Sequence, residues 1–295
     1  MSESRGDRPN PTSVGQLRAL FREFDFRPRK SLGQTFLTDA NIARKIIAAA
    51  DLHPDDPVLE IGPGAGAMTH LLQDAARRVL AIEIDPTLAA ILQEPPSDRL
   101  QVLQEDVLQV DWPALLGREG AGRWNVVANL PYAITGPAIL KLLEAKEWLA
   151  RLTIMVQVEV AERLVSPPGS KARGLLGVLV EAGCETHLAF RVPRTCFWPL
   201  PQVDSAVVTL EVRRPPLVPP SLEALFRRVV RGAFGTRRKT LANALAHSAE
   251  VSVDKAGAEA LLEACGVAPE RRAETLTVAE FLCVAEHLAA HEEGA

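Results

Sequence analysis

The stretch that most limits what this chain can fold into is Pro57-Val58-Leu59-Glu60-Ile61-Gly62-Pro63-Gly64-Ala65-Gly66. Its first five residues read as a buried strand and its glycines as a tight turn. Met68, Leu71 and Leu72 then form the inner face of a helix. Strand, glycine turn and helix bring backbone N–H groups and the positive end of a helix to one point, which suits a nucleotide-like ligand. The next apolar run, Val79-Leu80-Ala81-Ile82, ends in Glu83-Ile84-Asp85. Glu83 follows the glycines by about twenty residues, the place from which an acid accepts hydrogen bonds from ribose hydroxyls. Gly62, Gly64 and Ala67 also satisfy G-x-G-x-x-G/A, so the loop predicts a nucleoside cofactor and leaves NAD open.

The same rhythm recurs downstream. Leu100-Gln101-Val102-Leu103 ends in Gln104-Glu105-Asp106, which places Asp106 where an adenine ring would lie. Val126-Val127-Ala128 runs into Asn129-Leu130-Pro131-Tyr132, and Leu152 to Val156 reads as a fifth strand. Gly62, Glu83, Asp106 and Asn129 thus stand on one rim, at the carboxyl ends where open α/β sheets bind ligands. Asn129 offers a carbonyl acceptor, Pro131 stiffens the turn, and Tyr132, the one tyrosine in the chain, offers a flat ring. A rigid acceptor beside a stacking face suits a planar, amine-bearing base. The expected fold class is α/β: a Rossmann-like, mostly parallel sheet closed by antiparallel strands at His187–Val192 and Val207–Val212.

Between those two strands, Phe197-Trp198-Pro199-Leu200-Pro201 is a proline-stiffened loop, and one of its aromatics is expected to face Tyr132 and complete a base clamp. Leu175 to Val180 is apolar throughout, and its periodicity does not separate helix from strand. Ahead of the first strand, Ser31 to Leu37 reads as a flap over the nucleotide site. Thr38 or Asp39 then caps a helix with Ile42, Ile46 and Ile47 on its inner face. Residues 1–26, polar and proline-containing at their start, are expected to be disordered. Beyond Pro215–Pro220, read as a linker, the pattern is helical to the end.

The net charge of −4 speaks mildly against a nucleic-acid partner, yet charge is local. Arg227, Arg228, Arg231, Arg237, Arg238 and Lys239 fall in one acid-free stretch on the first helices of the C-terminal region, a patch able to hold phosphate. The four cysteines form no C-x-x-C, so neither a disulfide framework nor a metal site is expected, and the six histidines show no metal spacing. No apolar run is long enough to span a membrane, and a reducing cytoplasm fits best.

Together these segments resemble the KsgA/RsmA family of small-subunit rRNA adenine dimethyltransferases, sister to the Erm methyltransferases. The resemblance rests on GQTFL (33–37), EIGPGAGAMT (60–69), EID (83–85), NLPYAIT (129–135), QVEVAERL (157–164), FWPLPQVDSAV (197–207) and RRKTLANAL (237–245), in the family's order from about Arg27 onward. It implies a class I methyltransferase domain over 27–214 and a small helical RNA-binding domain over 221–295, working as a monomer without a metal. It implies S-adenosylmethionine as cofactor, held by Thr35, Leu37, Gly62, Gly64, Glu83, Asp106 and Asn129. The implied reaction is transfer of methyl groups to N6 of two adjacent adenosines in the 3′-terminal hairpin of small-subunit (16S) rRNA, during 30S biogenesis. Asn129 and the Leu130 carbonyl would grip the amine, Tyr132 and Phe197 would stack on the base, and Arg227, Arg231, Arg237, Arg238 and Lys239 would hold RNA. Departures from the usual pattern fall at Thr35, Val158, Arg173, Leu175 and Gln202. Three of these lose basic groups, which lowers the expected RNA affinity, with Arg173 offsetting part of the loss.

Overall fold

The structure, a computed structural model, describes residues 11–29, 32–119, 122–236 and 238–293. They form two compact units, one of the residues up to Val158 with Leu188–Leu210, the other of Glu159–His187 with the residues from Glu211 onward. This division differs from the expected boundaries at 27–214 and 221–295. Helices that precede the last strands belong with the C-terminal ones.

The leader is not disordered over its described length. Ser13 accepts from the Gln16 N–H and opens α1 (Val14–Glu23), whose Leu17, Leu20 and Phe21 are buried. These pack with Phe26, Phe36, Ala65, Leu88 and Ile91 into one apolar cluster. The spacing of 17, 20 and 21 is a helical stripe, and it outweighs the polar residues around it. Residues 1–10 lie outside the described residues.

Strand β1 (Phe36–Leu37) leads to α2 (Ala40–Ala50), which Asp39 caps by accepting from the N–H groups of Asn41 and Ile42. Then follow β2 (Pro57–Ile61), α3 (Thr69–Ala75), β3 (Arg78–Glu83), α4 (Pro86–Leu92), β4 (Leu100–Gln104), α5 (Trp112–Arg118), β5 (Trp124–Asn129), α6 (Thr135–Leu143) and β6 (Leu149–Gln157). The chain continues through α7 (Val158–Leu164), α8 (Leu175–Gly183), β7 (Cys184–Val192), β8 (Phe197–Trp198) and β9 (Ser205–Val212). The sheet runs β4-β3-β2-β5-β6-β9-β7 and is mostly parallel, while β8 pairs antiparallel with β1 in a separate ribbon. The order reverses between β2 and β5, so the crevice at their carboxyl ends is the topological switch point. Strands β2 and β5 are apolar along most of their length because helices cover both faces of such a sheet.

In the second unit, the ambiguous apolar run is helix α8, which packs on α9 (Glu223–Phe234) and on α12 (Val278–Glu293). Between the last two lie α10 (Leu241–Ala246) and α11 (Lys255–Ala264). The segment read as a linker is packed: Val218 is buried, and the Leu217 N–H donates to Ala182 O. Cys265 and Cys283 are joined by a disulfide, against expectation. They stand 18 positions apart in sequence, and only the pairing of α11 with α12 brings them together. No helix among the described residues is long and apolar enough to cross a membrane.

Candidate active site

Strand register builds the site. Ile61 and Ala128, the penultimate residue of β5, are partners across the central pair, which sets Gly62 directly beside Asn129. A Cβ on Gly62 would lie 2.9 Å from Asn129 O, and the glycine's φ is +67°, so both space and backbone demand glycine. Gly64, at φ +57°, leaves room for the Phe36 ring, whose nearest atom would stand 3.2 Å from an added Cβ.

Glu83, at the end of β3, turns back to this loop. Its Oε2 accepts from the Gly64 N–H at 3.1 Å and its Oε1 from the Asp85 N–H at 2.9 Å. Burial pushes its carboxyl up from the ordinary value, against the pull of those same N–H groups, with the Asp85 charge adding to the rise. Asp85 is fully buried and caps α4 by accepting from Thr87 N–H at 3.0 Å. Its other oxygen accepts from Gln34 Nε2 at 3.3 Å and lies 3.6 Å from Arg29 Nε, which ties the flap to the β3 end. Asp106 accepts from the Leu108 N–H at 2.9 Å and thereby turns the chain beyond β4.

Beneath the rim, Glu60 has no exposed surface, and neither of its oxygens meets a hydrogen-bond partner. Burial pushes its pKa up to about 8; the nearby Thr69 hydroxyl lowers it and the Glu83 charge raises it further. Glu60 is therefore a neutral acid at pH 7. The sequence showed it only as one residue of a strand, with no signal of a buried carboxyl.

Asn129 is half-buried at the end of β5, and Leu130 donates its N–H to Met155 O at 3.3 Å. Pro131 directs the chain into a short 3-10 turn at Tyr132–Ile134. The Tyr132 hydroxyl lies 3.1 Å from Ser205 Oγ, a bond that fixes the ring's tilt. Thr35, Leu37, Gly62, Gly64, Glu83, Asp106, Asn129, Leu130 and Tyr132 all line one cleft of about 1020 Å³, counted with its solvent-open part.

Phe197 is not brought to the cleft. It is 4% exposed and packs with Leu37, Val192 and Val207 in the core, because β8 pairs with β1 and sets Phe197 opposite Leu37. Trp198 packs instead near Phe21, 6.1 Å between ring centroids, with Arg18 over its face. The expected aromatic clamp is reduced to Tyr132.

The expected RNA-binding residues fare unevenly. Arg231, Arg238 and Lys239 are exposed. Arg227 is half-buried and paired at 2.8 Å with Glu223, one turn earlier on α9. Arg228 is paired with Glu292 at 2.7 Å. Arg237 lies outside the described residues. Arg173, expected to make good a lost basic group, is 2% exposed, paired with Glu181 at 2.7 Å and donating to Ser166 O. A buried guanidinium cannot meet RNA, so that compensation is withdrawn. The sequence also missed Cys283 and His287, which stand at i and i+4 on α12.

With this geometry in view, the comparisons with known proteins are consistent. Residues 25–290 match the family described as ribosomal RNA adenine dimethylase. A protein of Pelotomaculum thermopropionicum named ribosomal RNA small subunit methyltransferase A is 45% identical over 285 residues, covering 93% of this chain and 96% of its own. The protein of that name from Geobacillus kaustophilus is 42% identical over 280 residues, covering 93% and 96%. Among solved structures, the 23S rRNA methyltransferase ErmE aligns with a TM-score of 0.65 at 30% identity, over 86% of this chain and 99% of its own. A dimethyladenosine transferase from Plasmodium falciparum aligns with a TM-score of 0.70 at 26% identity, over 86% and 96%. Matched along nearly its whole length, this chain belongs to the ribosomal RNA adenine dimethylase family.

Proposed function

We propose that the protein is an S-adenosylmethionine-dependent adenine N6-dimethyltransferase acting on two adjacent adenosines in the 3′-terminal hairpin of small-subunit rRNA during 30S assembly. The observation that carries this reading is the delivery of Asn129, Leu130 and Tyr132 into the cleft that Glu83 and Asp106 already line. Small-subunit enzymes at up to 45% identity, against 30% for ErmE, favour that substrate over 23S rRNA. A monomer in a reducing cytoplasm completes the reading.

The cleft fits the cofactor. Each Glu83 oxygen takes one backbone N–H and keeps a lone pair for a ribose hydroxyl. Asp106 would take the adenine end and Gly62 the methionine end, and Thr35 and Leu37, from the flap, line the same cleft. When bound, S-adenosylmethionine supplies an electrophilic methyl group carried on a sulfonium.

The protein's own groups act on the base. The N6 lone pair is delocalised into the purine, which makes it a poor nucleophile. Asn129 Oδ1 and the Leu130 carbonyl accept the N6 hydrogens, favouring a pyramidal nitrogen and the positive charge that develops on it. Tyr132, held by Ser205, stacks on the extruded base, a contact worth about 1–3 kcal/mol. Positioning supplies much of the remainder, and the attacking nitrogen gives its proton to water afterwards. The second transfer takes N6-monomethyladenosine, so Asn129 and Leu130 share a single hydrogen in that round. Arg231, Arg238 and Lys239, on the surface of the helical unit, hold RNA phosphates.

The test is mass spectrometry of small-subunit rRNA incubated with protein and methyl donor, with 23S rRNA alongside. Dimethyladenosine at two adjacent positions near the small-subunit 3′ end is the expected result. Methylation confined to 23S rRNA, or none together with unimpaired donor binding, overturns the reading.

A further inference from the structure

In the helical unit, Cys265 ends α11, while Cys283 and His287 lie one turn apart on the same face of α12. The cysteines are disulfide-bonded, with Cα atoms 5.8 Å apart. His287 Nδ1 stands 3.6 Å from each sulfur. One donor atom from each of the three residues lies within 4.8 Å of the others, and this is the one such His, Cys or acidic group among the described residues. His287 is exposed and both cysteines are half-buried, so the cluster is open to solvent.

We propose that reduction of this disulfide creates a three-ligand site for a thiophilic divalent cation such as Zn²⁺, formed by Cys265, Cys283 and His287. In tetrahedral zinc sites, bonds of about 2.3 Å to sulfur and about 2.0–2.1 Å to nitrogen put the two donor atoms about 3.6 Å apart. His287 Nδ1 already holds that separation from both sulfurs. The two sulfurs must part to about 3.8 Å to flank the same ion, a change within reach of side-chain rotation at fixed backbone. Nδ1 now sits 3.0 Å from Cys283 O. On binding it gives up that contact, and the imidazole carries its proton on Nε2. A solvent molecule takes the fourth position.

The redox step balances with a small thiol as reductant. The S–S bond breaks, two electrons and two protons pass to Cys265 and Cys283, and two thiol molecules leave as their own disulfide. Metal binding then displaces the two thiol protons. Oxidation therefore closes the site, and the disulfide and the ion exclude one another.

The experiment is titration of the reduced full-length protein with Zn²⁺ and with Co²⁺ under anaerobic conditions. One equivalent is expected to bind, with a thiolate-to-cobalt charge-transfer band. The air-oxidised protein is expected to bind none until reductant is added. His287→Ala should weaken binding by more than about tenfold, and Cys265→Ser with Cys283→Ser should abolish it, while methyl transfer stays unchanged as a check on folding. Failure of the reduced parent to bind one equivalent overturns the proposal, as does binding that survives in the double cysteine variant.

Discussion

The rim of the parallel sheet and the basic helix α9 both gather polar side chains, but different things hold them. At the rim the backbone does the holding. Glu83 is fastened by the N–H groups of Gly64 and Asp85, and Asn129 stands beside Gly62 because Ile61 and Ala128 are paired. On α9 other side chains do it: Glu223 takes Arg227 and Glu292 takes Arg228. Backbone geometry is set by the fold as a whole and costs little to maintain at the moment of reaction, which is what electrostatic preorganisation requires. Side-chain ion pairs on a surface contribute about 0–1 kcal/mol and neutralise the charges they hold, which leaves exposed Arg231 as the α9 cation open to phosphate. The first region suits chemistry on one base, and the second suits a salt-dependent hold on a long polyanion.

The largest effect that sharpens this contrast concerns stability. Glu60 keeps its proton in the folded state up to about pH 8, whereas the unfolded chain releases it near its ordinary value of 4.5. Below that value the group costs nothing. Between the two values the unfolded state binds fewer protons, so stability falls as pH rises, by up to about 5 kcal/mol in total. In Glu60→Gln this slope is expected to vanish, with urea midpoints of the variant and its parent diverging from pH 5 to 8. Parallel midpoints over that range would show that Glu60 ionises freely and that the rim rests on nothing unusual.

Next in size is Asn129→Ala, expected to lower kcat by about 10²–10³-fold, the range for losing one preorganised acceptor or donor. Donor binding measured by calorimetry should change far less, since Glu83 and Asp106 remain. Tyr132→Ala should lose about tenfold or more, in keeping with one stacked base. Tyr132→Phe should stay within a few-fold of the parent, the loss coming from the Ser205 bond. If both tyrosine variants were equally active, stacking would leave the account.

The smallest effects test the helical unit. Arg231→Glu and Arg238→Glu should each weaken RNA binding several-fold and reduce the slope of log affinity on log salt by about one. Arg227→Glu should do less to the salt slope, because Glu223 already neutralises that arginine. Filter binding at several salt concentrations decides this, and an equal slope change for all three would erase the distinction between paired and exposed arginines.

Much of the rim was legible in the sequence for a local reason. Strands end where apolar runs meet Gly62, Glu83, Asp106 and Asn129, and parallel pairing puts carboxyl ends on one side of a sheet. The helix inside the leader was legible too, in the spacing of Leu17, Leu20 and Phe21, but the polar composition around it masked the stripe. Phe197 was misplaced because its direction depends on β8 pairing with β1, between residues some 160 positions apart in sequence. Arg173 read as a surface charge for a similar reason. Its partner Glu181 lies two turns away on a segment whose periodicity did not even declare a helix.

By itself, then, the sequence determined the α/β class and the order of the rim residues, because each depends on short-range pattern. The tertiary structure decided which aromatic lines the cleft, which arginines face water, how the chain divides into units, and that Cys265 meets Cys283 and His287. Those outcomes depend on strand register and helix pairing over long separations, where a single residue's shift turns a side chain from solvent to core.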